Sequence, residues 1–220
     1  SPDELLAGVA AVTEDGATLT PGERFVLYLW RASLIAGPLL GSEPPEVKKI
    51  TKWIGDRSRF FLVPGEYWAD ALNADLTALP ADAGAAWVSL LKHALTATSS
   101  RPSARWIKTA RELIAAIGEG HVSAAFGRWL AHVPKGRAIL KAPAHLYDPR
   151  GGADTIHDEN ATAMRGMLWM IPLLSQAAGM LRTVSTVALS AYKKIPGVGP
   201  RAVKVGNAAV YALSEIIAPE

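Results

Sequence analysis

No cysteine occurs among the 220 residues. That absence removes a disulfide framework, a thiolate metal site and a cysteine nucleophile together, and it fits a cytoplasmic protein. Charge of one sign is scarce too. The 23 Lys and Arg against 20 Asp and Glu leave +3, less than a dedicated nucleic-acid binder concentrates, although so small a total still permits a local basic stripe. Long apolar runs are also missing. The longest uncharged stretch, residues 166–181, contains Pro172, Ser175 and Gln176 and falls short of the roughly 20 apolar residues of a membrane helix. It reads as a buried core helix pair, and no membrane partner is expected. The chain opens on Ser1-Pro2-Asp3-Glu4 with no basic, apolar and small-residue series after it, so the expectation is a piece excised from a larger protein, without a signal peptide. Chemical motifs are wanting as well: there is no P-loop, no G-x-S-x-G elbow, no zinc-ligand spacing and no ordered triad. No catalytic residue, metal or cofactor is therefore expected.

What is present is apolar sequence, half of all residues, enough to bury a core as one domain or one short solenoid. It recurs at helical spacing, and no strand alternation is seen. Ser1-Pro2-Asp3-Glu4 has the form of a capping box and predicts a short helix to about Ala11. Thr20-Pro21-Gly22-Glu23 repeats the signal before Phe25, Leu27, Leu29, Trp30, Leu34 and Ile35, and Gly37-Pro38 stops that helix. Pro44 and Pro45 open a third, with Val47, Ile50, Trp53 and Ile54 on one side. Pro64-Gly65 begins a fourth that carries Tyr67, Trp68, Ala71, Leu72 and Leu76. Beyond Pro80, residues 81–98 turn Trp87, Leu90, Leu91, Ala94 and Leu95 inward, with His93 beside them. Residues 104–117 do the same with Trp106, Ile107, Ala110, Leu113, Ile114 and Ile117, and Gly118 is the stop. A helix over 121–133 ends at Pro134. From Glu159 the pattern is apolar on nearly every side, through Pro172 and Met180 to Tyr192, which predicts helix covered by neighbours on both faces.

Between residues 135 and 157 the periodicity lapses, which predicts a long loop, and such loops often carry function. His145, Asp148, Asp154, His157, Asp158 and Glu159 gather there. Imidazole and carboxylate are metal-ligand chemistry, but no pair has a ligand spacing such as H-E-x-x-H, and no metal site is assigned. Asp158 reads more simply as a helix N-cap.

Residues 193–213 hold the sharpest functional idea. Pro196 ends the preceding helix, Gly197 and Gly199 allow positive φ, and Pro200 suits the first turn of a final helix over 200–217. Arg201 and Lys204 beside that N-terminus suggest a phosphate or carboxylate site. The string from Gly197 to Ala202 also fits G-x-G-x-x-A, but the dinucleotide motif needs a preceding strand, and residues 183–194 read as helix. Ile195-Pro196-Gly197-Val198-Gly199 resembles the helix-hairpin-helix of DNA repair proteins, with Leu189, Val203 and Val210 apolar as that motif requires. Repair glycosylases of that kind carry a catalytic lysine after the hairpin. Here Arg201 stands instead and no aspartate follows, so the resemblance implies binding at most. The bland alternative is a plain connector between packed helices. A second basic feature, Arg101, Arg105, Lys108 and Arg111, recurs at helical spacing and either tracks a phosphate backbone or is a solvated face.

Seven tryptophans fall close to one per predicted helix, and Trp30, Trp68 and Trp106 stand 38 residues apart, with Pro64 and Pro102 each four residues before theirs. That is the scale of a HEAT-type helix pair. The order of Arg101-Pro102-Ser103-Ala104-Arg105-Trp106-Ile107-Lys108, Asn160 with Met164-Arg165-Gly166-Met167-Leu168-Trp169, and Lys194-Ile195-Pro196-Gly197-Val198-Gly199-Pro200-Arg201 with Lys204-Val205-Gly206-Asn207-Ala208 resembles a region of large uncharacterised bacterial proteins labelled molybdate-metabolism-regulator-like. The resemblance covers the chain from Arg101 on and implies HEAT-type helical repeat inside a multidomain chain, with no catalytic residue to carry over. The expected object is thus a single all-α domain over 1–220, with sub-halves 1–98 and 99–220, built as a HEAT-like α-solenoid or an irregular array of antiparallel helix pairs. Its expected role is a non-enzymatic scaffold that binds a protein partner or other domains of its parent chain. The alternative is nucleic-acid binding through Gly197, Gly199, Arg201 and Lys204 and through Arg101, Arg105 and Lys108.

Overall fold

The structure, a computed structural model, describes residues 62–136 and 154–218. The helices expected before residue 60, with Trp30 and Trp53, lie outside the described residues, as do His145 and Asp148 of the expected loop. The chain divides into two compact units, and the described residues from Gly65 on build the one formed by Gly65–Leu140 and Ala153–Glu220. They are mostly helical, as expected. In order come α1 (Tyr67–Ala78), α2 (Ala81–Leu95), α3 (Ala104–Ile117), α4 (Glu119–Leu130), α5 (Asp158–Met170), α6 (Leu181–Tyr192) and α7 (Val203–Ile217). A two-stranded antiparallel ribbon, β1 (Lys194–Ile195) and β2 (Gly199–Pro200), joins α6 to α7.

Local chemistry explains the breaks. Pro80 occupies the position before α2, where its missing N–H leaves no gap in the helix. The Ser103 hydroxyl accepts the amide of Trp106 at 3.2 Å and starts α3, a cap worth about 1 kcal/mol. Gly118, at φ +95°, ends α3 by donating to the Ile114 carbonyl and begins α4 at once, so one residue separates the two helices. Two expectations need correction. Helix does not run on beyond Pro172. Residues Ile171–Leu173 and Ala177–Met180 form 3₁₀ turns around an extended Leu174, because Pro172 can neither donate nor tolerate a preceding α-turn. Likewise α4 stops at Leu130, and Pro134 sits inside a separate 3₁₀ turn, Val133–Lys135. At α5 the capping residue is His157, whose Nδ1 accepts from the Glu159 amide at 3.3 Å; Asp158 is already the first helical residue.

The core is organised on α5. Asn160, Ala161, Ala163, Met164, Gly166, Met167, Leu168, Trp169 and Met170 are all buried, as the all-round apolar pattern requires, because α2 packs on one side and α7 on another. At the α2 crossing the backbones nearly touch: a Cβ placed on Gly166 meets the Ala94 carbonyl oxygen at 2.3 Å. Around that crossing Trp106 stands edge-on to Trp169 with ring centroids 5.3 Å apart. Trp87 and Trp129 form a second edge-on pair, also at 5.3 Å. His93 stacks on Trp106 at 4.4 Å, and its Nε2 lies 3.0 Å from the Trp106 carbonyl. Among residues expected to face inward, Leu95, Ile107, Leu113 and Ile117 are half-buried.

Gly166→Ala is expected to lower unfolding free energy by about 3 kcal/mol, since α2 and α5 must separate to admit the methyl group. Gly127→Ala on α4, where a Cβ meets nothing within 4 Å, is expected to raise it by about 0.5–1 kcal/mol. Urea titrations of the two variants read both signs.

Candidate functional site

The hairpin between α6 and α7 begins as the sequence suggests. Gly197 and Gly199 take φ values of +72° and +110°, and Val198 donates to Ile195 across the turn. Its far side differs from expectation. Lys194 pairs with Pro200 and Ile195 with Gly199 in a short ribbon. Beyond it Arg201 donates its amide to the Lys193 carbonyl and Ala202 donates to Ala191. These bonds hold residues 199–202 extended, so α7 starts at Val203 and Pro200 belongs to the ribbon instead of the helix.

Pro200 is exposed, whereas Arg201 and Ala202 face inward. Arg201 is 3% exposed. Its Nε donates to the Asp154 carbonyl at 2.9 Å, and one Nη donates to the Val133 carbonyl and to Ser190 Oγ, both at 2.7 Å. The other Nη lies 3.4 Å from Asp154 Oδ1, an ion-pair distance longer than a good hydrogen bond. One guanidinium therefore joins the turn after α4, the segment before α5, the end of α6 and the ribbon. Gly136 completes the fit, at φ +82°, because a Cβ there meets the Asp154 carboxylate at 2.9 Å. Lys204 is engaged as well: its ammonium pairs with the Asp158 carboxylate at 2.5 Å and bonds Thr162 Oγ1 at 3.2 Å. The exposed cations of the hairpin are Lys193 and Lys194.

The α3 row has a different fate. Arg101, just before the helix, and Arg105, Lys108 and Arg111 on it are all exposed, and none has a carboxylate partner among the described residues. At 1.5 Å per residue Arg105 to Arg111 cover about 9 Å of α3. The platform beneath them is firmly tied. Arg165 of α5 donates to the carbonyls of Ala97, Thr98 and Ser99 at 2.9–3.2 Å, and its guanidinium carbon lies 6.0 Å from the Trp169 ring centroid. Burial lowers the Arg165 pKa from its ordinary value, with Asp158 opposing the shift.

Two polar centres gave no signal in the sequence. Glu66, 2% exposed, accepts the Trp68 indole N–H at 2.7 Å, the His157 amide at 2.5 Å and the Asn160 side-chain amide at 3.1 Å. It ties the start of α1 to the start of α5. Asp75 does similar work between α1 and α4, accepting from Trp129 Nε1 at 2.8 Å and Arg128 at 2.9 Å. Glu119, in the first turn of α4, accepts the Ser175 amide at 2.9 Å, and bonds from the Ser175 side chain and backbone hold its carboxyl below the usual value. Asp70 goes the other way: burial raises it, and the Gly65 amide bond only partly compensates.

The expected acidic and imidazole cluster thus serves the framework where it is described: Asp154 faces Arg201, His157 caps α5 and Asp158 pairs with Lys204. Among the described residues no group of three His, Asp or Glu side chains is placed to hold a metal ion. A groove of about 400 Å³ lies between α2, α3 and α4, with Trp87, Ile117, His121 and Arg128 on its walls. No helix among the described residues is long and apolar enough to cross a membrane. Compared with family models, curated proteins and solved structures, the chain finds no match.

Arg201→Ala is expected to cost about 3–5 kcal/mol, because it leaves buried acceptors and the Asp154 carboxylate without their cation. Lys204→Ala, at a largely exposed pair, is expected to cost under about 1 kcal/mol; thermal or urea unfolding separates the two. For Glu119, a pKa lowered by folding means that the folded state holds the ionised form better than the unfolded chain does. Its contribution is present above the ordinary glutamate range and is lost as pH falls through the lowered value. The stability difference between the parent and Glu119→Gln is therefore expected to be constant near neutrality and to vanish in acid.

Proposed function

We propose that this chain is a non-catalytic helical domain, a HEAT-like array of helix pairs within a larger bacterial protein of the cytoplasm, and that it binds a macromolecular partner with the outer face of α3. The observation that supports this reading is the contrast between its two groups of cations. Arg201 and Arg165 bond internal carbonyls and Lys204 pairs with Asp158, as structural residues do. Arg101, just before α3, and Arg105, Lys108 and Arg111 on it stand exposed without a carboxylate partner among the described residues, although Glu112 adjoins Arg111. The buried carboxylate of Glu66 lies among donors that tie helices together, which favours a framework role over chemistry. The partner on this reading is an acidic protein surface, on another protein or on another domain of the parent chain.

A second reading, nucleic-acid binding, is favoured by the same row, since exposed cations at successive turns suit successive phosphates. It draws less on the Gly197–Gly199 hairpin, because Arg201 turns inward there and leaves Lys193 and Lys194 as the outward cations.

Salt and substitution separate the readings. If nucleic acid is the partner, anisotropy of labelled DNA or RNA falls steeply between 50 and 200 mM salt. Changing Arg101, Arg105, Lys108 and Arg111 to Gln is then expected to weaken binding at least tenfold and to reduce the log–log salt slope by about 3. Weak, salt-insensitive retention sinks that reading. For a protein partner, cross-links from Lys108 in the parent chain are expected to reach acidic segments and to disappear in the four-fold variant; cross-links unaffected by it overturn the α3 assignment.

A further inference from the structure

The outward face of α7 is accounted for neither by the interior clamps nor by the α3 row. Val203, Asn207, Val210, Ser214 and Ile217 follow at intervals of four, three, four and three residues, and all are exposed, Val210 at 51% and Ile217 at 71%. This is the a/d spacing of a coiled-coil seam, and it carries no charge. Leu189 of α6, 76% exposed, widens it. The ribbon makes α6 and α7 antiparallel and Tyr192 lies against Gly206, so Leu189, one turn back along α6, falls level with Val210.

The pattern itself says what covers this face. Val203 and Ile217 lie seven residues to either side of Val210, and Asn207 and Ser214 lie three and four to either side. A second copy of α7 laid antiparallel about an axis at Val210 therefore sets apolar against apolar and polar against polar, the self-complementary order a two-fold interface demands. The polar seam residues already have partners: Tyr192 Oη donates to Asn207 Oδ1 at 2.6 Å, and Ser214 Oγ donates to the Tyr211 carbonyl at 2.7 Å. Covering them leaves little unsatisfied.

We propose that two copies of this chain associate through α7, antiparallel, with the two-fold axis at Val210. One helical seam is at the small end of specific interfaces, so the dimer is reversible and concentration-dependent.

Sedimentation of the 220-residue chain from micromolar to millimolar concentration tests this. The expected result is a monomer–dimer equilibrium whose dissociation constant rises at least tenfold in Val210→Glu, which brings two carboxylates together at the axis. The melting temperature is expected to stay unchanged, because Val210 faces solvent in the single chain. As the chain has no cysteine, Val210→Cys supplies a lone thiol, and a short bis-maleimide is expected to join two copies there and not through Ala115→Cys on the exposed side of α3. A chain that stays monomeric at every concentration, a dimer indifferent to Val210→Glu, or equal cross-linking at both thiols overturns the proposal.

Discussion

A guanidinium removed from water keeps its charge and must be given acceptors, and the placing of Arg201 decides much of this structure. Its acceptors come from three segments: Val133 after α4, Asp154 before α5, and the end of α6, where Ser190 takes the guanidinium and Lys193 takes the backbone amide. Gly136 is part of the same arrangement, because the Asp154 carboxylate occupies the space a side chain would need. An uncharged residue at 201 would leave the acceptors without a common donor, and lysine lacks the planar fork that reaches several at once.

From that point the helices are arranged about α5. Its burial on several sides demands neighbours that come close, and small residues allow it: Gly166 admits the α2 backbone at Ala94, while Gly206 on α7 admits the Tyr192 ring of α6. Polar side chains then close the helix ends. Arg165 takes the carbonyls after α2, and Glu66 accepts the His157 amide and the Asn160 side-chain amide at the start of α5. These bonds fasten the helix ends to one another. The chemistry available to a partner is left to the surface, where α3 is cationic and α7 is apolar.

Much of this was legible in the residues. The apolar spacing of 104–117 marks α3, and Ser103 and Gly118 mark its two ends, because caps and positive-φ glycine act within a few residues. The all-round apolar character of 159–170 announced a covered helix. The basic row on α3 was visible because helical periodicity alone turns it away from Trp106, Ala110 and Ile114. The interruption after Met170 was harder: Pro172 is a plain signal, but the apolar pattern on both sides of it continues as if the helix did.

Among the described residues, the sequence alone determined the helical class, the limits of α3 and which faces of α3 and α5 are apolar, since these depend on spacing and on backbone preferences of single residues. Only the tertiary structure decided what the polar residues do. Arg201 and Lys204 look like Arg105 and Lys108 in the string of letters. They differ because the ribbon and the amide bonds of Arg201 and Ala202 delay α7 to Val203 and turn Arg201 toward carbonyls 47 and 68 residues away, and because Asp158 is brought beside Lys204 when α5 meets α7. A side chain's partner across such distances is set by packing, which no local pattern encodes.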